Sequence, residues 1–280
     1  MTQRILVTGS LNLDHTIRLA SALPACRVQA QDMGRALGGA AANTGLALAR
    51  GGHEVWIAAG LGEGPQGDQM LAELQAAGIR TDLVARLPEP PCEPLILIEP
   101  SGERTIIHRQ RGQSDAVDFA ALPRDWAAIY AATPAPALNQ LCTSLRGQCV
   151  TVGQWYPGHA APPADLLVTS ESSAATNAPQ RFSDLADPPD WLVVTLGANG
   201  ARAEGHGGQV LHQPAVAVQA IDTTGAGDVF AAGLIHGQLA GWPMQHALAF
   251  AAALSAQQVA SPGPTPPESL SETYAKWSKP

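Results

Sequence analysis

The segment Asp222-Thr223-Thr224-Gly225-Ala226-Gly227-Asp228-Val229-Phe230-Ala231-Ala232-Gly233 decides how this chain reads. Gly225 and Gly227 stand just before an alanine-rich helical run. Small residues there let backbone N–H groups face outward at a helix N-terminus. Those groups, with the helix dipole, make an anion site. Asp228 falls in the first turn beside it. Helix capping accounts for a lone Asp at such a place, stabilising the helix by about 0.5–2 kcal/mol. It explains poorly why two acids, Asp222 and Asp228, bracket Thr-Thr-Gly-Ala-Gly. A carboxylate next to an anion site makes sense if it takes a proton from a hydroxyl attacking phosphorus.

Outward from that segment, alanine-rich helices are expected at 226–240 and 245–260, separated by the stop signal Gly241-Trp242-Pro243. Upstream, short β-branched runs at 5–7, 55–59, 127–130, 149–152, 166–169 and 192–196 read as strands. Helices are expected at 41–50 and at 68–77, the latter closed by Gly78. Strands apolar on both faces, alternating with helices, imply an α/β three-layer sandwich with a mostly parallel sheet. Two segments break the alternation. Residues 11–37 are polar with little helical pattern. Residues 94–110 read as a hairpin turning at Pro100-Ser101-Gly102. The hairpin needs a second, small sheet, and a lid or a dimer contact is its natural use. One domain over 1–280 is expected, with lid segments at about 11–37 and 86–112.

Composition narrows the function. Of 280 residues only 14% are charged, against about 25% in an average domain, and 45% are apolar, which suits a soluble globular protein. The net charge of −8 and the scattered arginines argue against nucleic acid or an anionic membrane as partner. The only lysines are Lys276 and Lys279, so a Walker, Schiff-base or pyridoxal lysine is excluded from the core. Cys26, Cys92, Cys142 and Cys149 form no C-x-x-C pair and read as free thiols of a reducing cytoplasm. Met1-Thr2-Gln3-Arg4 leads into a strand, so no signal peptide is expected, and the apolar run 247–254 is too short to span a bilayer.

With these residues in view, the chain resembles the ribokinase-type (phosphofructokinase-B) carbohydrate and nucleoside kinases. The 222–233 segment looks like that family's signature. The resemblance implies that Gly225, Ala226 and Gly227 form the anion hole for the transferred phosphate and that Asp228 is the catalytic base. Gly38-Gly39-Ala40-Ala41-Ala42-Asn43 is similar to the family's N-terminal signature, and Gly9-Ser10-Leu11-Asn12-Leu13-Asp14 to its first-strand segment. Substrate contacts are thereby implied for Asn12, Asp14, Gly38, Gly39 and Asn43. Gly60 to Asp68 is similar to a structural loop, and Gly102-Glu103-Arg104-Thr105 to the lid hairpin, which implies Arg104 near substrate. Thr195-Leu196-Gly197-Ala198-Asn199-Gly200 resembles the nucleotide-binding strand end. Thr195, Gly197, Gly200, Thr224 and Ser255 are the implied ATP contacts. Asp222 and Thr224 match positions that hold potassium in ribokinases. ATP and Mg²⁺ are the implied cofactors, potassium a further one, and a homodimer through the lid is expected.

Three departures stand out. The family's Asn-x-x-Glu metal motif reads Ser170-Glu171-Ser172-Ser173, leaving Glu171 as the only carboxylate. Either Glu171 orders a metal-bound water, or the nucleotide phosphates hold most of the metal. The ketohexokinase and sulfofructose kinase branch resembles this chain in that altered stretch and in an arginine at the place of Arg104. Ala40 stands where ribokinases carry a lysine near the sugar, so ribose is less favoured and a ketohexose or modified ketose fits as well or better. Arg104, Arg109 and Arg111 would suit an acidic sugar. The chain is also short for the family, the missing residues falling between Tyr130 and Asp165.

Other readings fit less of the chain. Gly62-Glu63-Gly64-Pro65-Gln66-Gly67 matches a dinucleotide fingerprint, but Glu63 and Asp68 would flank the pyrophosphate. There is no G-x-S-x-G elbow for a serine hydrolase. A non-catalytic sugar sensor would not need Asp228 beside an anion hole, and a nucleoside kinase remains an alternative substrate class. His108 is a candidate substrate contact. His236 and His246 read as packed or surface imidazoles, and Trp155 as the one tryptophan at the expected site side.

Overall fold

Strand β1 (Arg4–Thr8) shows how the layers form. Ile5 and Val7 face one helical layer, and Leu6 faces the other. This period-two alternation between two buried faces is what a central strand requires. The computed structural model describes residues 3–21, 30–100, 104–107, 116–156 and 158–277. After β1 come β2 (Asn12–Leu19), β3 (Ala30–Gly38), α1 (Ala40–Arg50), β4 (Glu54–Ala58), β5 (Gly60–Gly62), α2 (Pro65–Ala76), β6 (Ala85–Leu87), β7 (Leu95–Ile98) and β8 (Arg104–Ile107). Then follow β9 (Ala128–Ala131), α3 (Pro136–Leu145), β10 (Val150–Gln154), β11 (Leu166–Ser170), β12 (Trp191–Thr195), β13 (Ala201–Gly205), β14 (Val210–Gln213), α4 (Ala226–Leu239), α5 (Met244–Val259) and α6 (Leu270–Trp277).

The main sheet has eight strands in the order β14-β13-β12-β11-β10-β9-β1-β4. From β4 to β12 the pairing is parallel, and β13 and β14 extend it antiparallel. Helices α1, α4 and α5 cover one face together with residues of α2 and α6. Helix α3 covers the other face with Phe119 and Trp126. The C-terminal ends of the parallel strands share one edge, where α/β sheets hold their ligands. A second sheet, in the order β3-β2-β7-β8, is built from the two segments that break the α/β alternation.

The expected α/β sandwich with a mostly parallel sheet is present, with differences of detail. The polar stretch 11–37 contains two long strands, whose apolar signal is weak because most of their residues are partly buried or exposed: in β2 only Asp14 and Leu19 are fully buried. Arg86 and Leu87, expected in the second lid segment, pair instead with β5. The helix expected at 68–77 starts earlier, at Pro65, whose ring fits a first helical turn. Helix α3 fills the stretch where only short elements were expected. Trp155 packs beside Leu167, Leu192 and Val194, as a core residue does. Cys142 and Cys149 are free thiols, Cys92 is buried, and Cys26, Gly102, Glu103, His108, Arg109, Arg111 and Lys279 lie outside the described residues. Among the described residues no helix is long and apolar enough to cross a membrane.

Candidate active site

Helix α4 begins in the left-handed turn at Gly225, φ +76°. A side chain there would be strained, and its Cβ would lie 2.9 Å from the Pro264 carbonyl oxygen and 3.1 Å from Asn43 Nδ2. The turn leaves the N–H groups of Gly227 and Asp228 without an acceptor among the described residues. Gly227 is exposed, and a Cβ on it would meet only open space. Two unpaired donors beside open space at a helix N-terminus suit an anion; they belong to Gly227 and Asp228, whereas the Ala226 N–H is spent on the Thr223 carbonyl oxygen at 3.3 Å. Ser255, expected at ATP, ties α5 to this turn: its hydroxyl donates to the Ala226 carbonyl oxygen at 3.1 Å.

Asp228 is half-buried in the first turn of α4. Asn43 Nδ2, from α1, donates to its carboxylate at 2.8 Å, and the Thr44 hydroxyl donates to its main-chain oxygen at 3.3 Å. Burial raises the Asp228 pKa above the usual carboxylate value, against the opposing effects of the Asn43 hydrogen bond and the Arg104 charge. A raised pKa suits a group that must accept a proton near neutrality. Asn43 is 3% exposed, and its Oδ1 has no partner, leaving one buried acceptor aimed into the site.

Asp14, on β2, is 4% exposed, and no described residue donates a hydrogen bond to its carboxylate. Its pKa is raised to about 7 by burial, then by the charges of Asp228 and Asp222. Asp14 pairs with Ala36 across the β2–β3 ladder, and a Cβ at Gly38, two residues further along β3, would run into the Asp14 carboxyl group. Gly38 therefore keeps room for a buried acid. Gly39 caps α1, and Asn12 opens β2 opposite Gly38. The fold thus brings Asp14, Gly38, Gly39, Asn43 and Asp228 to one place from four elements, β2, β3, α1 and α4.

Arg104 reaches from β8 to the anion turn, where Nη1 donates to the Thr223 carbonyl oxygen at 2.5 Å and to its hydroxyl at 2.6 Å. It links the small sheet to the phosphate cradle. Thr195 ends β12, and its hydroxyl donates to the Thr169 carbonyl oxygen at 3.3 Å. Gly197 and Gly200 flank a short 3-10 turn. The loop from β14 to Asp222 presents exposed Val216, Val218 and Ile221. Glu171 is exposed at the end of β11. Among the described residues no three His, Cys, Asp or Glu side chains gather as a metal site. One exposed carboxylate fits Mg²⁺ carried mainly by phosphate oxygens, since such ions keep several waters.

The chain matches the family model "pfkB family carbohydrate kinase" over residues 2–156 and 164–270. It belongs to that family. This member is therefore a carbohydrate kinase of the ribokinase-like group. It is 27% identical to the ribokinase of Bacillus subtilis over 81% of this chain and 82% of that one. It is 27% identical to the ATP-dependent ribose-1-phosphate kinase of Halopiger xanaduensis over 90% of each. A 30% match to the 2-dehydro-3-deoxygalactonokinase of Haloferax volcanii spans 47% of this chain and about half of that relative, 51%. In fold it is similar to a nucleoside kinase of Burkholderia thailandensis, with TM-score 0.81 at 20% identity, covering 98% of this chain and 96% of that one.

Sequence reasoning passed over four residues of this kinase: Arg18, Thr44, Tyr130 and Gln258. Arg18 Nη2 lies 3.3 Å from the fully buried Asp222 carboxylate, and its Nη1 donates to the Ile221 carbonyl oxygen at 3.0 Å. A register shift of β2 follows Arg18, and such irregularities re-aim side chains. Tyr130 lies below Asp228, its hydroxyl donating to Gln154 Oε1 at 2.7 Å. Gln258 alone left a signal: it continues the buried stripe Ala247, Ala251, Leu254 of α5, where an amide is out of place.

Proposed function

We propose that this kinase transfers the γ-phosphoryl group of ATP to a hydroxyl of a ketohexose or a modified ketose. The observation that carries the reading is Asp228: a carboxylate of raised pKa, held by Asn43, beside two unpaired N–H donors, its own and that of the exposed Gly227. In this reading Asp14 accepts hydrogen bonds from substrate hydroxyls, and Asn43 Oδ1 takes another. Asp228 removes the proton from the attacking hydroxyl. The amides of Gly227 and Asp228, with the dipole of α4, stabilise charge on the transferring group. The triphosphate lies along the 225–227 turn. The base lies against the 195–200 turn and the exposed apolar loop after β14. Mg²⁺ borne by the nucleotide would supply charge neutralisation, and Glu171 would order one of its waters. The four-stranded sheet closes over the sugar as a lid, with Arg104 as its tether to the phosphate turn.

The ketose preference rests on Ala40, which offers no side-chain donor to a sugar. The partial similarity to a kinase named for a 2-dehydro-3-deoxy sugar acid points the same way. All four side chains of the edge strand β8 are exposed, Ile106 and Ile107 among them. An open apolar edge of this kind supports a homodimer through the lid. ADP release from Mg-ATP over a panel of ketoses, keto-deoxy acids, ribose, sugar phosphates and nucleosides tests the whole reading. Asp228→Asn is expected to lower turnover on the best acceptor by about 10²–10⁴-fold with the fold intact. Near-normal turnover in that variant refutes the assignment.

A further inference from the structure

At the positions matched above to a potassium site, the Asp222 carboxylate and the Thr224 carbonyl oxygen are engaged by the protein itself, while the buried Thr224 hydroxyl has no partner among the described residues. Gln258 is fully buried at the end of α5. Its Nε2 donates to the Thr224 carbonyl oxygen at 2.9 Å, to that of Gly263 at 2.9 Å and to that of Pro264 at 3.3 Å. Three carbonyl dipoles thus converge on one nitrogen that has only two hydrogens, so one of them is shared. The opposite amide orientation would put an oxygen against three oxygens, so the NH₂ group faces the cage. The other oxygen, Oε1, is buried without a partner. Such a side chain is out of place in an alanine and leucine stripe unless the three carbonyls need a positive centre.

The nearby carboxylate is answered as well. Asp222 accepts from the Thr224 N–H at 2.9 Å and the Gly263 N–H at 3.2 Å, and its charge is met by Arg18 at 3.3 Å. Carbonyl cage and carboxylate, the two parts of a monovalent cation site, are both occupied by side chains. A potassium ion does not fit among these residues as they stand.

We propose that the Gln258 amide and the Arg18 guanidinium together replace a monovalent cation, so that this kinase works without one. The amide gathers the anion turn and the 263–264 loop around itself. That loop lies against Gly225, and the Thr265 hydroxyl ties it to the Leu37 carbonyl oxygen of β3 at 3.1 Å. Gln258 is a positioning residue: it holds the phosphate cradle without touching substrate. The inference rests on reading the 225–227 turn as that cradle.

The test compares chloride salts of choline, sodium, potassium and ammonium at equal ionic strength, reading both initial rate and thermal midpoint. Wild-type rate and midpoint are expected to be the same in all four. Gln258→Ala empties the cage. In choline its turnover is expected to fall at least about tenfold. Potassium or ammonium is expected to restore most of that loss and to raise its midpoint by about 2–4 °C. A wild-type enzyme activated severalfold by potassium overturns the proposal. So does a Gln258→Ala chain whose rate and midpoint ignore the cation. If that variant does not fold, the wild-type comparison still decides. The midpoints need no acceptor, so a wrong substrate assignment leaves that half of the test intact.

Discussion

Asp14→Asn separates what the fold wants from what the site wants. A buried acid whose pKa is raised from 3.8 to about 7 binds its proton more tightly in the folded state than in the unfolded one. Its contribution is therefore fully favourable below pH 3.8 and is lost as pH rises through about 7. Each pKa unit corresponds to about 1.36 kcal/mol, so between pH 4.5 and 8 the loss approaches about 3 kcal/mol. Asparagine has the same shape and no charge to desolvate. The variant should gain about 3 kcal/mol over wild type between those two pH values, read by urea unfolding at each. Activity should move the other way. A hydrogen bond to a charged group contributes about 1.5–3 kcal/mol, so kcat/KM on the best acceptor should drop about 10–100-fold. Parallel stability curves for the two proteins would refute the argument that Asp14 is a strained, functional acid.

Three further outcomes are expected. Asn43→Ala removes a hydrogen bond that favours ionised Asp228. The acidic limb of the kcat/KM profile, which rises as the base ionises, should move to higher pH. An unmoved limb would mean that Asn43 does not tune the base. His53 Nε2 and His236 Nδ1 lie 2.9 Å apart in an aromatic cluster, and the His53 pKa is lowered to about 4 by burial and then by His236. The unfolded chain binds this proton more readily, so His53 costs stability as pH falls from 6.5 towards 4; NMR titration should find the His53 imidazole neutral at pH 5.5. Light scattering at micromolar concentration should give a dimer, and charged residues at Ile106 and Ile107 should give a monomer; a monomeric wild type removes the lid interface.

The parts of the site that were legible in the sequence are those held in consecutive residues. The 225–228 turn makes its own anion cradle from a left-handed glycine and a helix N-terminus, and both are local properties of the backbone. Strands β1, β9, β11 and β12 were legible because both of their faces are buried. Strands β2 and β3 were not, since few of their residues are fully buried. Helix α3 was hidden behind proline and polar residues, and its amphipathic stripe acquires meaning only against β9.

Side-chain partnerships lie beyond any local pattern. Asn43 meets Asp228 across 185 positions, and Arg18 meets Asp222 across 204. The resemblance of Asp222 and Thr224 to a potassium site was a statement about two positions in a string. Whether an ion can enter depends on what fills the space between them. The packing of α5 places Gln258 there, and the edge of β2 places Arg18 beside it. The residue types carried the chemistry of phosphoryl transfer from the start, because that chemistry resides in a few adjacent groups. The balance of charge around them was decided by chain folding, because electrostatic interactions depend on distance and burial rather than on order along the chain.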